Sequence, residues 1–169
     1  SIPSDLGVFY AQNKIKENSG KYASKISMRV VSMKGGISGG TIYSFLNIIE
    51  ESRKNKNIKK VLNNPHGLSP NKDLFDSDEE DLKKIIFDST SKKWIGPFVM
   101  AAINTRIVRR SNYLMDFKYG RDFIYNEALV FGRTILSKFL GYFRLIPIYL
   151  ISKNENILLK SLLKSFLPL

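Results

Sequence analysis

The sequence predicts an α+β fold, in which a mixed or antiparallel sheet has its helices packed on one face. Two segments carry the strand signal: residues 26–33 become β-branched toward their end, and residues 122–131 partly alternate apolar with polar. Helical spacing follows Pro97 and returns in the last third. We therefore predict a sheet-and-helix domain over residues 1–133 and a C-terminal amphipathic helical segment over residues 134–169.

The first half is predicted to open with a helix that Ser4 or Asp5 caps and that Gly20 ends. Its apolar face is assigned to Leu6, Phe9 and Tyr10. The remaining elements follow in order: a strand over residues 26–33, a glycine-rich turn, a helix over 42–51, a linker over 53–60 and a loop over 64–71. The acidic stretch over 76–81 is predicted to be a solvated loop or the start of a helix.

In the second half, Pro97 suits the first turn of a helix. Tyr119-Gly120 predicts a turn, and the strand over residues 122–131 follows. Two helices, over residues 134–143 and 157–167, complete the prediction.

Charge and composition narrow the function classes. The chain carries +12 at pH 7, with 14 Lys/Arg against 11 Asp/Glu in residues 1–88 and 13 against 4 afterwards. A basic second half attracts polyanions, or it is simply a lysine-rich solvated surface. Nucleic acid is the weakest partner, since no recognised binding module is present.

Several kinds of site are excluded by composition. There are no cysteines, which excludes disulfides, thiolate metal sites and cysteine nucleophiles. The one histidine, His66, cannot make a zinc site by itself, and a histidine in a turn is expected to be exposed and inert. We predict no bound metal. The sequence shows no signal peptide and no apolar run long enough to cross a bilayer.

The glycine-rich turn, residues 35–41, does not match a nucleotide-binding motif. Ile37 and Ser38 break the Rossmann glycine spacing, and the Gly-Lys-Ser/Thr of a P-loop is absent. The hydroxyls of Ser38 and Thr41 at a helix start nevertheless suit an anion or a carboxylate. The alternative is that the glycines only permit a tight turn and close packing.

Two basic segments admit two interpretations each. Arg106, Arg109 and Arg110 stand on one predicted helix, where one of them suits a substrate acid or a cofactor phosphate. The alternative is that they pair with acidic loops or are simply solvated. The segment 157–167 has an apolar stripe opposite lysines. It fits a membrane interface or packing on its own core.

Five stretches carry a family resemblance. Residues 1–7 (Ser-Ile-Pro-Ser-Asp-Leu-Gly) resemble the end of a signature that opens the second domain of the saccharopine dehydrogenase-like oxidoreductases. Residues 34–41 resemble that family's Gly-Gly-x-Ser-Gly-Gly-Thr segment, and residues 64–70 resemble its Pro-Tyr-x-Leu-x-Pro loop, with His66 at the aromatic position. Trp94-Ile95-Gly96-Pro97-Phe98 and residues 104–112 are similar to further segments. The family's relatives include the trans-acting enoyl reductases.

The resemblance implies that this chain is the second domain of a two-domain dehydrogenase-like protein. NAD or NADP is then bound by a Rossmann domain upstream, so this fragment holds no cofactor residues and is expected to be inactive alone. Ser38 and Thr41 are our candidate substrate donors, and Arg109 or Arg110 the candidate acid clamp. Family members are associated with glycolipid metabolism and with lipid droplets, mitochondria or other intracellular membranes. The alternative function is a catalytically silent lipid-surface scaffold. The alternative location is the cytoplasm. A homodimer is a further predicted assembly.

Overall fold

The computed structural model describes residues 1–32, 39–70, 72–77 and 79–153. For residues 39–43, 45, 46, 49, 72 and 147–153 only the backbone is described. The elements run in the order α1 (Ile2–Ser19), β1 (Lys25–Val30), α2 (Gly39–Lys54), α3 (Lys56–Asn63), β2 (Ile86–Asp88), β3 (Lys93–Gly96), α4 (Ala101–Leu114), β4 (Ile124–Gly132) and α5 (Ile135–Lys153), with a 3₁₀ turn at Lys72–Leu74. The predicted helix over 157–167 lies outside the described residues.

A four-stranded mixed sheet in the order β1-β4-β3-β2 is the centre of the fold. β1 pairs with β4 in parallel, Lys25 beside Ile124, whereas β4–β3 and β3–β2 are antiparallel. The β3–β4 register shifts between Trp94 and Ile95. The α+β prediction is confirmed, and so are the two predicted strands, which form the parallel pair of the sheet, with β1 at its edge.

Helices cover one face of this sheet, which we call the closed face. α1 packs on α4, α4 packs on β4, and α5 packs on β4 and β3. The core here consists of Val8, Val108, Tyr119, Phe123 and Tyr125. Ile26 and Met28 of β1 pack against the same cluster, so the alternate residues of β1 point to the opposite, open face.

The first helix is set differently from the prediction. It begins at Ile2, with Ser1 at the cap position, so the assignment of the cap to Ser4 or Asp5 is wrong. Leu6 and Tyr10 are more than half exposed, whereas Ser4, Val8 and Gln12 are buried. The Gln12 amide explains the rotation, because it donates to the Ala23 carbonyl at 2.9 Å and accepts from the Ala23 N–H at 2.8 Å. The spacing of apolar residues gives no indication that a buried glutamine decides which side of the helix faces the core.

The other predicted elements differ mainly in length. β1 ends at Val30 rather than at residue 33, and α5 extends to Lys153. The predicted linker over 53–60 is wrong, since Asn55 accepts a hydrogen bond from the Asn57 N–H and starts α3. The β2–β3 hairpin was not predicted, because its strands are only three and four residues long. Helix α4 begins at Ala101, after β3 and Pro97.

Candidate functional site

The three arginines of α4 hold the end of α3 and the segments 65–68 and 79–81 against the helix. Arg106 is 5% exposed, pairs with Asp81 and donates to the Leu62 carbonyl at 2.8 Å. Asp81 is therefore the partner of a buried cation. The predicted solvated loop does not describe this residue. The contact with Asp81 also involves Thr105, whose hydroxyl donates to the same carboxylate at 2.9 Å.

Arg109 is even more buried, with 3% of its surface exposed. Its guanidinium donates to the carbonyls of Pro65 at 3.2 Å, Glu79 at 2.8 Å and Tyr125 at 3.3 Å. Buried carbonyls without a donor are costly, so this one side chain stabilises both the loop and the start of β4. Arg110 is exposed and donates to the Leu68 carbonyl.

His66 also stabilises the segment between α3 and β2. It is 2% exposed, so the expectation of an exposed turn histidine is wrong. Its ring stacks on Phe75 with centroids 3.9 Å apart, and Nε2 donates to the Ser77 carbonyl at 2.6 Å. Because the ring is enclosed by the loop it supports, a substrate in solution has no access to it.

A buried carboxylate lies under α1 and α4. Glu127 is 2% exposed; it accepts from the Tyr125 hydroxyl at 2.7 Å and from Asn104 Nδ2 at 2.8 Å. Burial, followed by the hydrogen bond and the charge of Glu127, raises the pKa of Tyr125 well above its ordinary value. A phenol held neutral and fully covered in this way is a structural group of the closed face.

The open face carries a cleft of about 260 Å³, and no helix is among the described elements that line it. Its lining comes from residues of the four strands, from Ser89 and from the segment 79–82. The lining is both polar and apolar; Ile86, Ile95 and Ala128 supply apolar surface. This open-face cleft is the candidate functional site.

Arg29 is the central cation of the open-face cleft. Its Nε donates to Asp88 Oδ2 at 3.1 Å, and its Nη1 donates to Asn126 Oδ1 at 2.7 Å and to the Met28 carbonyl at 3.1 Å. The two side chains of the ion pair are 20% and 14% exposed. These contacts fix the guanidinium against the sheet. In the parallel pairing of β1 with β4, Asn126 lies beside Ser27, two positions before Arg29 and therefore on the same face.

Asp88 is held in its charged form by its neighbours. Burial raises the pKa of this carboxyl, but the hydrogen bond from Ser91, the hydrogen bond and charge of Arg29, and the Thr90 N–H together hold the pKa below its ordinary value. The Ser91 hydroxyl lies 2.7 Å from Asp88 Oδ2. The pair therefore stays ionised through the neutral pH range.

A second charged pair continues the line. Lys25 Nζ lies 3.2 Å from Glu79 Oε1, which also accepts from Asn126 Nδ2 at 3.1 Å. Asn126 thus links the two pairs through its amide, oxygen toward Arg29 and nitrogen toward Glu79. The polar line across the open face has two cations and two carboxylates, and its formal charge is zero.

The predicted site residues are not brought together in the open-face cleft. Arg109 and Arg110 lie on α4, on the closed side, and Ser38 lies outside the described residues. Thr41 lies in the first turn of α2, where only the backbone is described. Sequence reasoning missed Arg29 and Asn126; the one available signal was their placement inside two strands, which gives no indication of the partners that they meet.

Metal binding and membrane crossing leave no signature in the described part of the chain. Within residues 1–32, 39–70, 72–77 and 79–153, no group of three or more His, Cys, Asp or Glu side chains is arranged to hold a metal ion. Over those same ranges, no helix combines the length and apolar character required to traverse a lipid bilayer.

Comparison with known proteins points to one group. A Mycobacterium tuberculosis protein provisionally named a trans-acting enoyl reductase is 35% identical over 143 residues, which are 81% of this chain and 34% of that protein. The trans-acting enoyl reductase of Mycobacterium ulcerans is 30% identical over 142 residues, covering 79% of this chain and 34% of the relative. A second M. tuberculosis protein of that name is 27% identical over 149 residues, covering 83% of this chain and 35% of the relative.

No protein-family profile matches the chain, and no solved structure matches it. The chain spans about a third of the length of the curated relatives it matches. The predicted kinship with the trans-acting enoyl reductases is confirmed as sequence similarity. By its sequence, this chain is related to proteins that bear the name of an oxidoreductase, the trans-acting enoyl reductase.

Proposed function

We propose that this chain is the substrate-side and assembly half of a saccharopine dehydrogenase-like, NAD(P)-dependent oxidoreductase linked to lipid or glycolipid metabolism. The observation that carries the proposal is the 35% identity, over 81% of this chain, to a relative of which the matched residues make up 34%. The proposed reaction is hydride transfer to an acceptor held between this chain and a separate nucleotide-binding domain.

The described residues do not fit a dinucleotide. A cofactor cradle needs glycines that leave space for a pyrophosphate. Here the space beside Gly67 is filled by the Val61 carbonyl, and the space beside Gly96 by the ring of Phe131. The cations of the open-face cleft are already paired with carboxylates. The proposal therefore takes the nucleotide to be bound by a separate domain, and we derive no chemical step through the nicotinamide here.

Four residues remain proposed substrate contacts. Ser38 and Thr41 are the proposed hydrogen-bond donors, and Arg109 or Arg110 the proposed acid clamp. Arg110 has the better access, because Arg109 already donates to three backbone carbonyls and is 3% exposed. In the complete protein, Ser38→Ala and Arg110→Ala are expected to weaken substrate binding, and unchanged affinity in both variants removes these contacts from the proposal.

A nucleotide titration tests the proposal itself. NADPH and NADH fluorescence is followed with the protein encoded by the complete gene and with the 169-residue chain as a control. We expect one of the two nucleotides to bind the complete protein and neither to bind the 169-residue chain. A complete protein that binds neither nucleotide contradicts the oxidoreductase proposal.

A second candidate function is a lipid-surface scaffold, which the surface of α5 favours. Leu136, Phe139, Leu140 and Phe143 are each more than half exposed and recur at i, i+3, i+4 and i+7. Lys138 and Arg144 lie on the same helix as these apolar side chains. Such a helix suits the headgroup level of an anionic membrane, including a lipid droplet or mitochondrial surface.

Liposome flotation distinguishes the two candidates. The complete protein is tested as wild type, without residues 134–169, and as Phe139→Glu/Phe143→Glu, with Phe9→Glu on α1 as a matched exposed-aromatic control. Flotation that depends on the α5 aromatics, in a protein that binds neither NADPH nor NADH, favours the scaffold. Nucleotide binding without flotation favours the oxidoreductase.

A further inference from the structure

We propose that the open-face cleft binds a small neutral ligand group that offers a hydrogen-bond acceptor and a donor side by side, as a carboxamide does. The proposal rests on the contacts of Arg29, Asn126 and Glu79 and goes beyond the proposed redox function, which it does not require. It concerns this chain's own residues and is tested without any nucleotide.

The free donor is on Arg29. Its Nε and Nη1 are engaged by Asp88, Asn126 and the Met28 carbonyl, whereas Nη2 has no hydrogen-bond partner in the part of the chain that the structure describes. A guanidinium held by three contacts presents its remaining N–H groups in a fixed direction. Little ordering entropy is lost when a ligand oxygen accepts from it.

The free acceptor is on Glu79. Its Oε1 accepts from Lys25 and Asn126, and its Oε2 is buried with no hydrogen-bond partner among the described residues. A buried carboxylate oxygen without a donor is a destabilising feature that a ligand N–H or O–H relieves. Lys25, whose side chain is 52% exposed, contacts the other oxygen of this carboxylate, Oε1, at 3.2 Å.

Asn126 sets the spacing of the two groups. Its Oδ1 accepts from Arg29, and its Nδ2 donates to Glu79. Arg29 and Glu79 are therefore separated by the amide of Asn126. A ligand amide that lies beside this side chain likewise directs its oxygen toward Arg29 and its nitrogen toward Glu79. Asn126 acts here as a positioning residue that holds both partners.

Charge excludes the two charged ligand classes. A carboxylate or phosphate at Arg29 meets Asp88 and Glu79, and an ammonium at Glu79 meets Lys25 and Arg29. Glu80, which also lines the cleft, is paired with Lys83, so it does not change the balance of the polar line. A charged ligand group at either end of the line meets a like charge beside its partner, and a neutral group avoids that repulsion. The volume of about 260 Å³ is just below that of drug-sized pockets, so it admits one polar group on a short apolar stem against Ile86, Ile95 and Ala128.

The test is a titration of the 169-residue chain with three probes of equal length: hexanamide, hexanoate and hexylammonium. Binding is followed by ¹H–¹⁵N NMR at the Arg29 Nε–H and the Asn126 side-chain amide. We expect hexanamide to shift both signals and to bind about tenfold more tightly than either charged probe. A charged probe that binds as tightly as hexanamide overturns the proposal.

Two variants and a control complete the test. Arg29→Met is expected to lose hexanamide binding about tenfold, while Arg144→Met, an exposed arginine on α5, leaves it unchanged. Glu79→Gln replaces a carboxylate oxygen with an amide N–H donor and leaves the polar line with a net positive charge. We therefore expect this variant to prefer hexanoate over hexanamide. If Arg29→Met fails to fold, the Glu79→Gln exchange decides: an unaltered preference for hexanamide rejects the site.

Discussion

The two faces of the sheet use the same kinds of side chain in different ways. On the closed face, Arg109 and Glu127 are at most 3% exposed, and they form hydrogen bonds with groups of the fold itself. On the open face, Arg29 and Glu79 are partly exposed, and each keeps an atom that no described residue bonds. Arginine and glutamate are thus structural on one face and available on the other.

The difference teaches that residue type alone does not locate a site. A buried guanidinium gains most from backbone carbonyls, because those acceptors have no water to replace it. A guanidinium at a cleft is held by two or three contacts and retains donors. Remaining hydrogen-bond capacity, rather than an arginine cluster in the sequence, is therefore the better indicator of binding.

The largest effect is expected from Arg109→Met on the closed face. The substitution leaves three carbonyls without their charged donor, and we expect the free energy of unfolding in urea to fall by about 3 kcal/mol or more. Arg110→Met is the matched control: its exposed contact with Leu68 predicts a loss below about 1 kcal/mol. Equal losses in the two variants contradict the distinction between buried and exposed arginines.

Gly67→Ala tests how tightly the loop is fastened. A Cβ at this position meets the Val61 carbonyl, which is backbone and cannot rotate away, so we expect a loss of roughly 1–3 kcal/mol. Gly7→Ala is the control, since nothing lies within 4 Å of its added carbon and it stands inside α1. That control is expected to gain about 0.5–1 kcal/mol from helix propensity. Thermal unfolding of both variants measures the contrast.

The closed face is expected to govern the alkaline limit of stability. Because the pKa of Tyr125 is raised in the folded state, its contribution is complete below the unfolded pKa of about 10 and is lost as pH rises toward the folded pKa. Urea unfolding between pH 9 and 11 should therefore show a fall of up to about 1.4 kcal/mol per pH unit from this group. Tyr125→Phe removes that slope, whereas Tyr10→Phe at an exposed position retains it.

The smallest effect is expected at acid pH from the open face. The pKa of Asp88 is lowered in the folded state, so its contribution is present above the unfolded pKa of about 3.9 and is lost as pH falls through the folded pKa. Asp88→Asn should remove this acid dependence, worth less than about 1 kcal/mol because the pair is partly exposed. Glu17→Gln, in an exposed i,i+3 pair, is the control and should leave the acid limb unaltered.

Much of the fold was predictable because long elements repeat a signal. The nine-residue β4 and the fourteen-residue α4 each contain enough alternation or helical spacing to be recognised. The β2 and β3 strands are too short for such a signal and form only because they pair with each other and with β4. The burial of His66 and the rotation of α1 likewise depend on contacts with residues distant along the chain or on backbone groups.

The sequence by itself determined the α+β class, the main helices and strands, and the kinship with the trans-acting enoyl reductases, because these follow from local periodicity and from residue identities in order. Only the tertiary structure decided which arginines are bound to backbone carbonyls of the fold and which arginine lines a cleft. Parallel pairing places Arg29 near Asn126, 97 positions along the chain, and a loop brings Glu79 to the same amide. Hydrogen-bond capacity is a property of the neighbours in space, and spacing along the chain does not encode it.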